Sequence, residues 1–105
     1  MNETDSGMKI LVSYSINEDN AQAYYEFALG RYIPAMQSLG FEVSEAWHTA
    51  YGDYPNRLVG FVCRDRETMT DTLNSDIWEA LNDQLLEYVS DFSYKIIPYK
   101  IGFQI

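Results

Sequence analysis

The chain has 105 residues, 47% hydrophobic and 15% aromatic, and carries a formal charge of −9 from seven basic against sixteen acidic side chains. This length and apolar content describe one folded domain with one core, small enough that a second copy helps to cover leftover apolar surface, and they exclude a disordered chain. The acidic balance excludes nucleic acid and anionic membranes as partners, since affinity for them comes from basic side chains neutralising phosphates.

Residues 1–7, MNETDSG, are polar and aperiodic and read as a frayed tail ahead of a single domain over 8–105. No charged-then-apolar leader opens the chain and no apolar run nears the roughly 18 residues that span a bilayer, so a soluble cytoplasmic protein is expected. Residues 8–16 alternate as a strand, with Ile10, Val12, Tyr14 and Ile16 on the richer face. Asn17, followed by Glu18 and Asp19, is an N-cap candidate for a helix. Tyr24, Ala28, Tyr32, Ala35 and Leu39 recur on it at helical spacing, Pro34 predicts a kink, and Gly40 predicts a left-handed cap. Gly30, in mid-helix, points to a close approach by another element.

Residues 41–50 and 57–64 read as two strands of a hairpin around the turn formers YGDYPN. A loop centred near Asp53 and Tyr54 sets Trp47 opposite Gly60 and His48 opposite Val59, with Ser44, Ala46 and Ala50 sharing the face of His48. A one-residue slip would exchange the faces. The one cysteine, Cys63, sits in the apolar run 58–63 and reads as a small buried hydrophobe. Asp65 caps a short helical turn, and Ser75 opens a second main helix whose apolar stripe runs from Ile77 and Trp78 through Leu81 and Leu85 to Tyr88, Val89 and Phe92. The remainder, 93–105, is strand-like, and Pro98 predicts an edge or a bulge.

The order βαββαβ is that of an α+β ferredoxin-like fold, one four-stranded antiparallel sheet with both helices on one face. The second face, with Leu11 and either the Trp47 or the Phe61 set on it, needs a cover, and a homodimer paired sheet to sheet supplies one.

A resemblance rests on Ser13-Tyr14-Ser15-Ile16, on Arg31-Tyr32-Ile33-Pro34-Ala35, on Trp47-His48-Thr49-Ala50-Tyr51-Gly52-Asp53 and on Ser75-Asp76-Ile77-Trp78. In these scattered positions, spread over residues 8–98, the chain resembles the dimeric α+β barrel superfamily (antibiotic biosynthesis monooxygenase-like) and is most similar to NIPSNAP-type proteins. The resemblance implies a dimer whose sheets close into a barrel, with a pocket between sheet and helices in each subunit. Superfamily members use that pocket for cofactor-independent oxygenation, haem breakdown, isomerisation, cyclisation or ligand sensing, so the fold alone assigns no activity. The histidine sets of the haem-degrading members are missing here, and no cofactor is expected.

His48, the only histidine, is the natural general acid or base, and the small residues expected beside it leave room for a ligand; its other reading is structural. Tyr14 and Tyr51 can orient a phenol or carbonyl, Tyr24 or Tyr25 can close a pocket from the helix side, and Trp47, next to His48 in the chain, is a further ligand-binding candidate; for each tyrosine the other reading is core edge. Arg57 either forks onto a ligand carboxylate or pairs with Asp53 in the loop. Neither metal-ligand spacing nor a GxGxxG, P-loop, GxSxG or CxxC motif occurs.

These readings support a homodimer that binds a small apolar or aromatic ligand, with His48 and Tyr14 at the pocket of a cofactor-free oxygenase-, isomerase- or cyclase-like enzyme. The alternative is a non-catalytic dimerisation or ligand-sensing domain whose tyrosines fill the core. An acidic protein-protein adaptor is a third reading, and a concave site of about 300 Å³ or more separates the first from the others.

Overall fold

The computed structural model describes residues 6–49 and 56–100. Four strands form one antiparallel sheet in the order β2-β3-β1-β4: β1 is Ser6–Ile16, β2 Glu42–His48, β3 Arg57–Cys63 and β4 Val89–Lys100. Strand β1 starts at Ser6, so the last two residues expected in the tail belong to the sheet. Met8, Ile10, Val12, Tyr14 and Ile16 are buried while Lys9, Leu11, Ser13 and Ser15 between them are half-exposed, so the richer face of β1 is the one under the helices. With all helices on that side, the architecture is the expected ferredoxin-like α+β fold.

The first helical segment is built differently from a plain amphipathic helix. A 3₁₀ turn over Glu18–Asn20 leads into α1, Ala21–Phe27, and the Asn17 side chain makes no capping bond. A five-residue π-helical turn, Ala28–Tyr32, then precedes α2, Ile33–Ser38. Pro34 has no N–H to donate, and the chain accommodates it with this wider turn, in which Ile33 N–H reaches the Ala28 carbonyl five residues back. The buried residues Tyr24, Ala28, Tyr32 and Met36 explain why the turn is needed. A spacing of four drifts by about 40° per step around an ideal helix, and the extra residue of the π turn brings the stripe back to the core. Gly30 has open space where a side chain would begin, so it marks no close approach. Gly40, at φ 101°, closes α2 as a left-handed cap, with Phe41 N–H on the Met36 carbonyl and Gly40 N–H on the Gln37 carbonyl.

Two capped helices follow β3. Asp65 accepts from Thr68 N–H at 2.8 Å to start α3, Arg66–Leu73, and Ser75 accepts from Trp78 N–H at 3.2 Å to start α4, Asp76–Leu85. The helix ends at Leu85, not Phe92: Val89 already pairs with Ile16 in β4. A bulge in β4 opposite Tyr14, with Asp91 left-handed at φ 57°, breaks the two-residue alternation there and gives Val89 and Phe92 a helix-like spacing. Pro98 lies on this edge strand, opposite Met8, where its missing donor is tolerated. Cys63 is buried against β1 and donates to the Asp65 carbonyl at 3.4 Å, and burial pushes its thiol pKa up.

Candidate functional site

The hairpin of β2 and β3 sets the geometry. Its register pairs Trp47 with Leu58, Ala46 with Val59 and His48 with Arg57, two positions away from the expected one. An extra residue at Ser44 bulges β2, so that Val43 faces Phe61 while Glu45 faces Gly60. The bulge places Ser44 beside Gly60 on the open face of the sheet, away from Ala46 and His48. Asn56 fixes the base of the hairpin by accepting from Ile16 N–H through its side chain at 3.0 Å and from Thr49 N–H through its carbonyl at 2.9 Å. Arg57, the next residue, is thereby held at the end of β3 opposite Tyr14 of β1.

Between this end of the sheet and the first helical segment lies a cleft. Its floor is Val12 and Tyr14 of β1, Val59 and Phe61 of β3 and Ala46 of β2, and its roof is Tyr24, Tyr25, Ala28 and Tyr32 from α1 and the π turn. Its cavity volume is about 50 Å³, short of the roughly 300 Å³ expected of a full ligand pocket. The site is therefore narrow, a slot rather than a chamber. A broader groove between the π turn and α4, lined by Pro34, Ile77 and Gln84 among others, is open to solvent and is bridged by an Arg31 Nε to Gln84 Oε1 hydrogen bond of 2.8 Å.

Polar groups converge on the slot. The hydroxyls of Tyr14 and Tyr24 share a 2.5 Å hydrogen bond, and their rings meet edge to face at 5.7 Å. Tyr32 donates to Asn82 Oδ1 at 2.9 Å, which fixes its ring 6.1 Å from that of Phe61. Burial pushes the Tyr14 phenol well above its usual range, reinforced by Tyr24 and opposed by the Arg57 charge. Tyr32 is raised by burial too, with a further contribution from Tyr24. Both phenols are thus donors and acceptors of hydrogen bonds at neutral pH, not bases. Arg57 places its guanidinium 5.9 Å from the Tyr25 ring centroid, and its Nε is buried with no hydrogen-bond partner among the described residues.

Of the residues singled out from the sequence, the structure brings Tyr14, Tyr24 and Arg57 together. His48 is exposed and does not line the slot, although it sits directly across from Arg57 on the same face. Trp47 is 64% exposed on the open face, away from the slot. Tyr51 and Asp53 lie outside the described residues. The additional lining residues Tyr32, Ile33 and Val43 carry no sequence signal that separates them from ordinary core. Among the described residues no group of His, Cys, Asp and Glu side chains is placed to hold a metal ion. No helix there is long and apolar enough to cross a membrane.

No protein-family profile and no curated protein matches the sequence. Solved structures do match the fold. An antibiotic biosynthesis monooxygenase candidate from Nitrosomonas europaea aligns over 95% of this chain and 93% of its own, at 14% identity and a TM-score of 0.60. A NIPSNAP family protein from Agrobacterium tumefaciens aligns over 88% and 90%, at 12% identity and a TM-score of 0.61. An EthD family protein from Bacillus halodurans covers 94% and 99%, at 15% identity and a TM-score of 0.61. The chain is similar to these proteins in fold, as the sequence resemblance implied, over nearly its whole length.

Proposed function

We propose that the chain is a small-molecule-binding homodimeric α+β barrel protein of the cytoplasm whose ligand site is the slot between sheet and helices. The convergence of the hydrogen-bonded Tyr14 and Tyr24 phenols and the Arg57 guanidinium, in a slot otherwise lined by aromatic and aliphatic side chains, carries this reading, because such a lining orients a ligand that is mostly hydrophobic. The apolar floor and edge-on rings suit an aromatic or apolar molecule of about one ring. Homodimerisation covers the open sheet face, where the exposed Trp47 and the half-exposed Leu11, Leu58 and Val62 lie.

The same geometry suits chemistry of the cofactor-independent monooxygenase, isomerase or cyclase kind. Tyr14, held protonated, donates to a substrate oxygen; Arg57 stabilises negative charge developing on it. His48, exposed across from Arg57 outside the slot, takes up through water the proton that the substrate loses as this charge develops and passes it to solvent. A second reading, a non-catalytic ligand-sensing or dimerisation domain, is favoured by the narrowness of the slot and by a lining that, among the described residues, includes neither a carboxylate nor His48.

Amide chemical shifts recorded while small aromatic molecules are titrated into the labelled protein test the ligand site. Shifts clustered at Val12, Ala28 and Val59 support it, and uniformly unmoved or scattered amides refute it. Sedimentation equilibrium decides between dimer and monomer. Turnover of a bound compound in air that His48→Ala and Tyr14→Phe abolish supports the enzyme, whereas binding without turnover leaves the sensor.

A further inference from the structure

We infer that the molecule taken by the slot is a small aromatic or apolar carboxylate, with Arg57 as the residue that holds its carboxylate; the inference rests on the ligand-site reading above. Sixteen acidic side chains outnumber seven basic ones in the chain, yet none of the acids among the described residues lines the slot. Arg57 is the one charged residue of the lining among the described residues. Among the described residues it has no ion pair: the pair found there, Lys9 Nζ to Glu45 Oε1 at 2.6 Å, belongs to the open face of the sheet. Arg31, Arg64, Arg66 and Lys95 likewise make no ion pair among the described residues, and what sets Arg57 apart from them is its place in the slot with a buried Nε.

The geometry of Arg57 turns this into a statement about the ligand. A surface arginine extends its stem and keeps its head in water. Arg57 instead lies near the Tyr25 ring, with Nε shielded from solvent and lacking an acceptor among the described residues. A buried donor without an acceptor is costly, and a guanidinium edge that offers Nε is matched by a planar carboxylate in a two-point contact. The Tyr14 hydroxyl, on the same slot and pushed up by burial, remains protonated and repels no anion. A phosphate would fit worse: among the described residues no second cation lines the slot, and the remaining lining is aliphatic or aromatic. The acidic chain as a whole disfavours polyanions, but a monoanion with an apolar body is held by the slot's rings as well as by its charge.

Benzoate, benzyl alcohol and inorganic phosphate, each titrated at neutral pH into the full chain and into Arg57→Met and Arg57→Lys and followed by amide shifts, test the inference. Benzoate is expected to bind the unaltered chain more tightly than benzyl alcohol. Its affinity should fall about 10- to 100-fold in Arg57→Met and less in Arg57→Lys, while benzyl alcohol binds all three alike. Benzoate binding that ignores Arg57→Met, or that is no tighter than that of benzyl alcohol, overturns the carboxylate and leaves the slot a neutral-ligand site. Phosphate matching benzoate in affinity overturns the carboxylate in favour of a general anion site. Failure of both aromatic probes to bind overturns the ligand-site reading together with the inference. If Arg57→Met does not fold, Arg57→Lys and the benzoate-to-benzyl-alcohol ratio in the unaltered chain decide the matter.

Discussion

Removing one hydroxyl from the Tyr14–Tyr24 pair is expected to cost more than removing both. The two residues are 4% and 1% exposed, their hydroxyls lie 2.5 Å apart, and neither hydroxyl has another protein partner among the described residues. Tyr24→Phe therefore leaves the Tyr14 hydroxyl buried and unpaired, at a cost of about 1–3 kcal/mol, and Tyr14→Phe does the same to Tyr24. In the double variant no polar group is stranded, and only the net worth of one hydrogen bond is lost, about 0.5–1.5 kcal/mol. The coupling between the sites is then about 1.5–4.5 kcal/mol, well beyond the ~0.5 kcal/mol scatter of independent sites. Urea unfolding of the four proteins at neutral pH measures it, and each single variant should also lower Tm by about 4–8 °C per kcal/mol. Single-variant losses that simply add in the double variant would refute the pairing. A pH series gives an independent check. The folded Tyr14 pKa is raised above its unfolded value, so its contribution is complete below about pH 10 and is lost as pH rises beyond that. Tyr14→Phe should accordingly flatten the alkaline fall in stability.

Gly30→Ala is expected to stabilise the chain by about 0.5–1 kcal/mol, because the position is helical and open where a methyl group would sit; a loss on thermal melting would show that the π turn needs glycine. Ser75→Ala should cost about 1 kcal/mol by stranding Trp78 N–H at the start of α4, measured by urea unfolding, with Ser75→Asp restoring most of it. The Lys9–Glu45 pair makes a small pH-dependent contribution. Lys9 and then Ser44 hold the Glu45 carboxyl below its usual range, so its stabilisation is complete above about pH 4.3 and vanishes as pH falls through the lowered value. Glu45→Gln should thus lose at most about 1 kcal/mol at neutral pH and nothing in strong acid.

What could be read from the sequence is the chemistry that acts over a few residues. Gly40, Asp65 and Ser75 end or begin helices through bonds to backbone groups within five positions, and each does so where the pattern placed it. Pro98 excludes itself from a central strand by its missing donor, and β4 is an edge. Strand β4 was misread at Val89 and Phe92 because a bulge at Asp91 spaces two core-facing residues as a helix would. The slot was legible only in part for a related reason. Tyr14, Tyr24 and Arg57 come from separate elements, and nothing local to any of them distinguishes a pocket phenol from a core phenol or a buried guanidinium from a loop ion pair. Their meeting is a product of register, which depends on the turn and on bulges rather than on the apolar pattern alone.

Ser44 shows how much rests on one such residue. Strict alternation over residues 41–48 would put Phe41, Val43 and Trp47 on a single face. In the protein Phe41 is buried and Val43 faces the slot, whereas Trp47 lies on the opposite, open face with Glu45, because the chain takes one extra residue at Ser44. The bulge therefore lets an aromatic-rich strand serve both faces, and it keeps the indole out of a slot that has no room for it. Deleting Ser44 should leave both halves of β2 in their present register, since Val43 would still face Phe61 and Glu45 would still face Gly60. The expected change in Tm is within about 5 °C, under 1 kcal/mol for a domain of this size. Deleting Ala46 instead moves Trp47 into the position across from Val59, where overpacking costs about 1–3 kcal/mol, and the slot closes. Thermal melts of the two deletions, with benzyl alcohol as the slot probe, separate the cases. A chain without Ser44 that unfolds as readily as one without Ala46 would mean that the bulge itself, and not the pairing on either side of it, holds β2 in place.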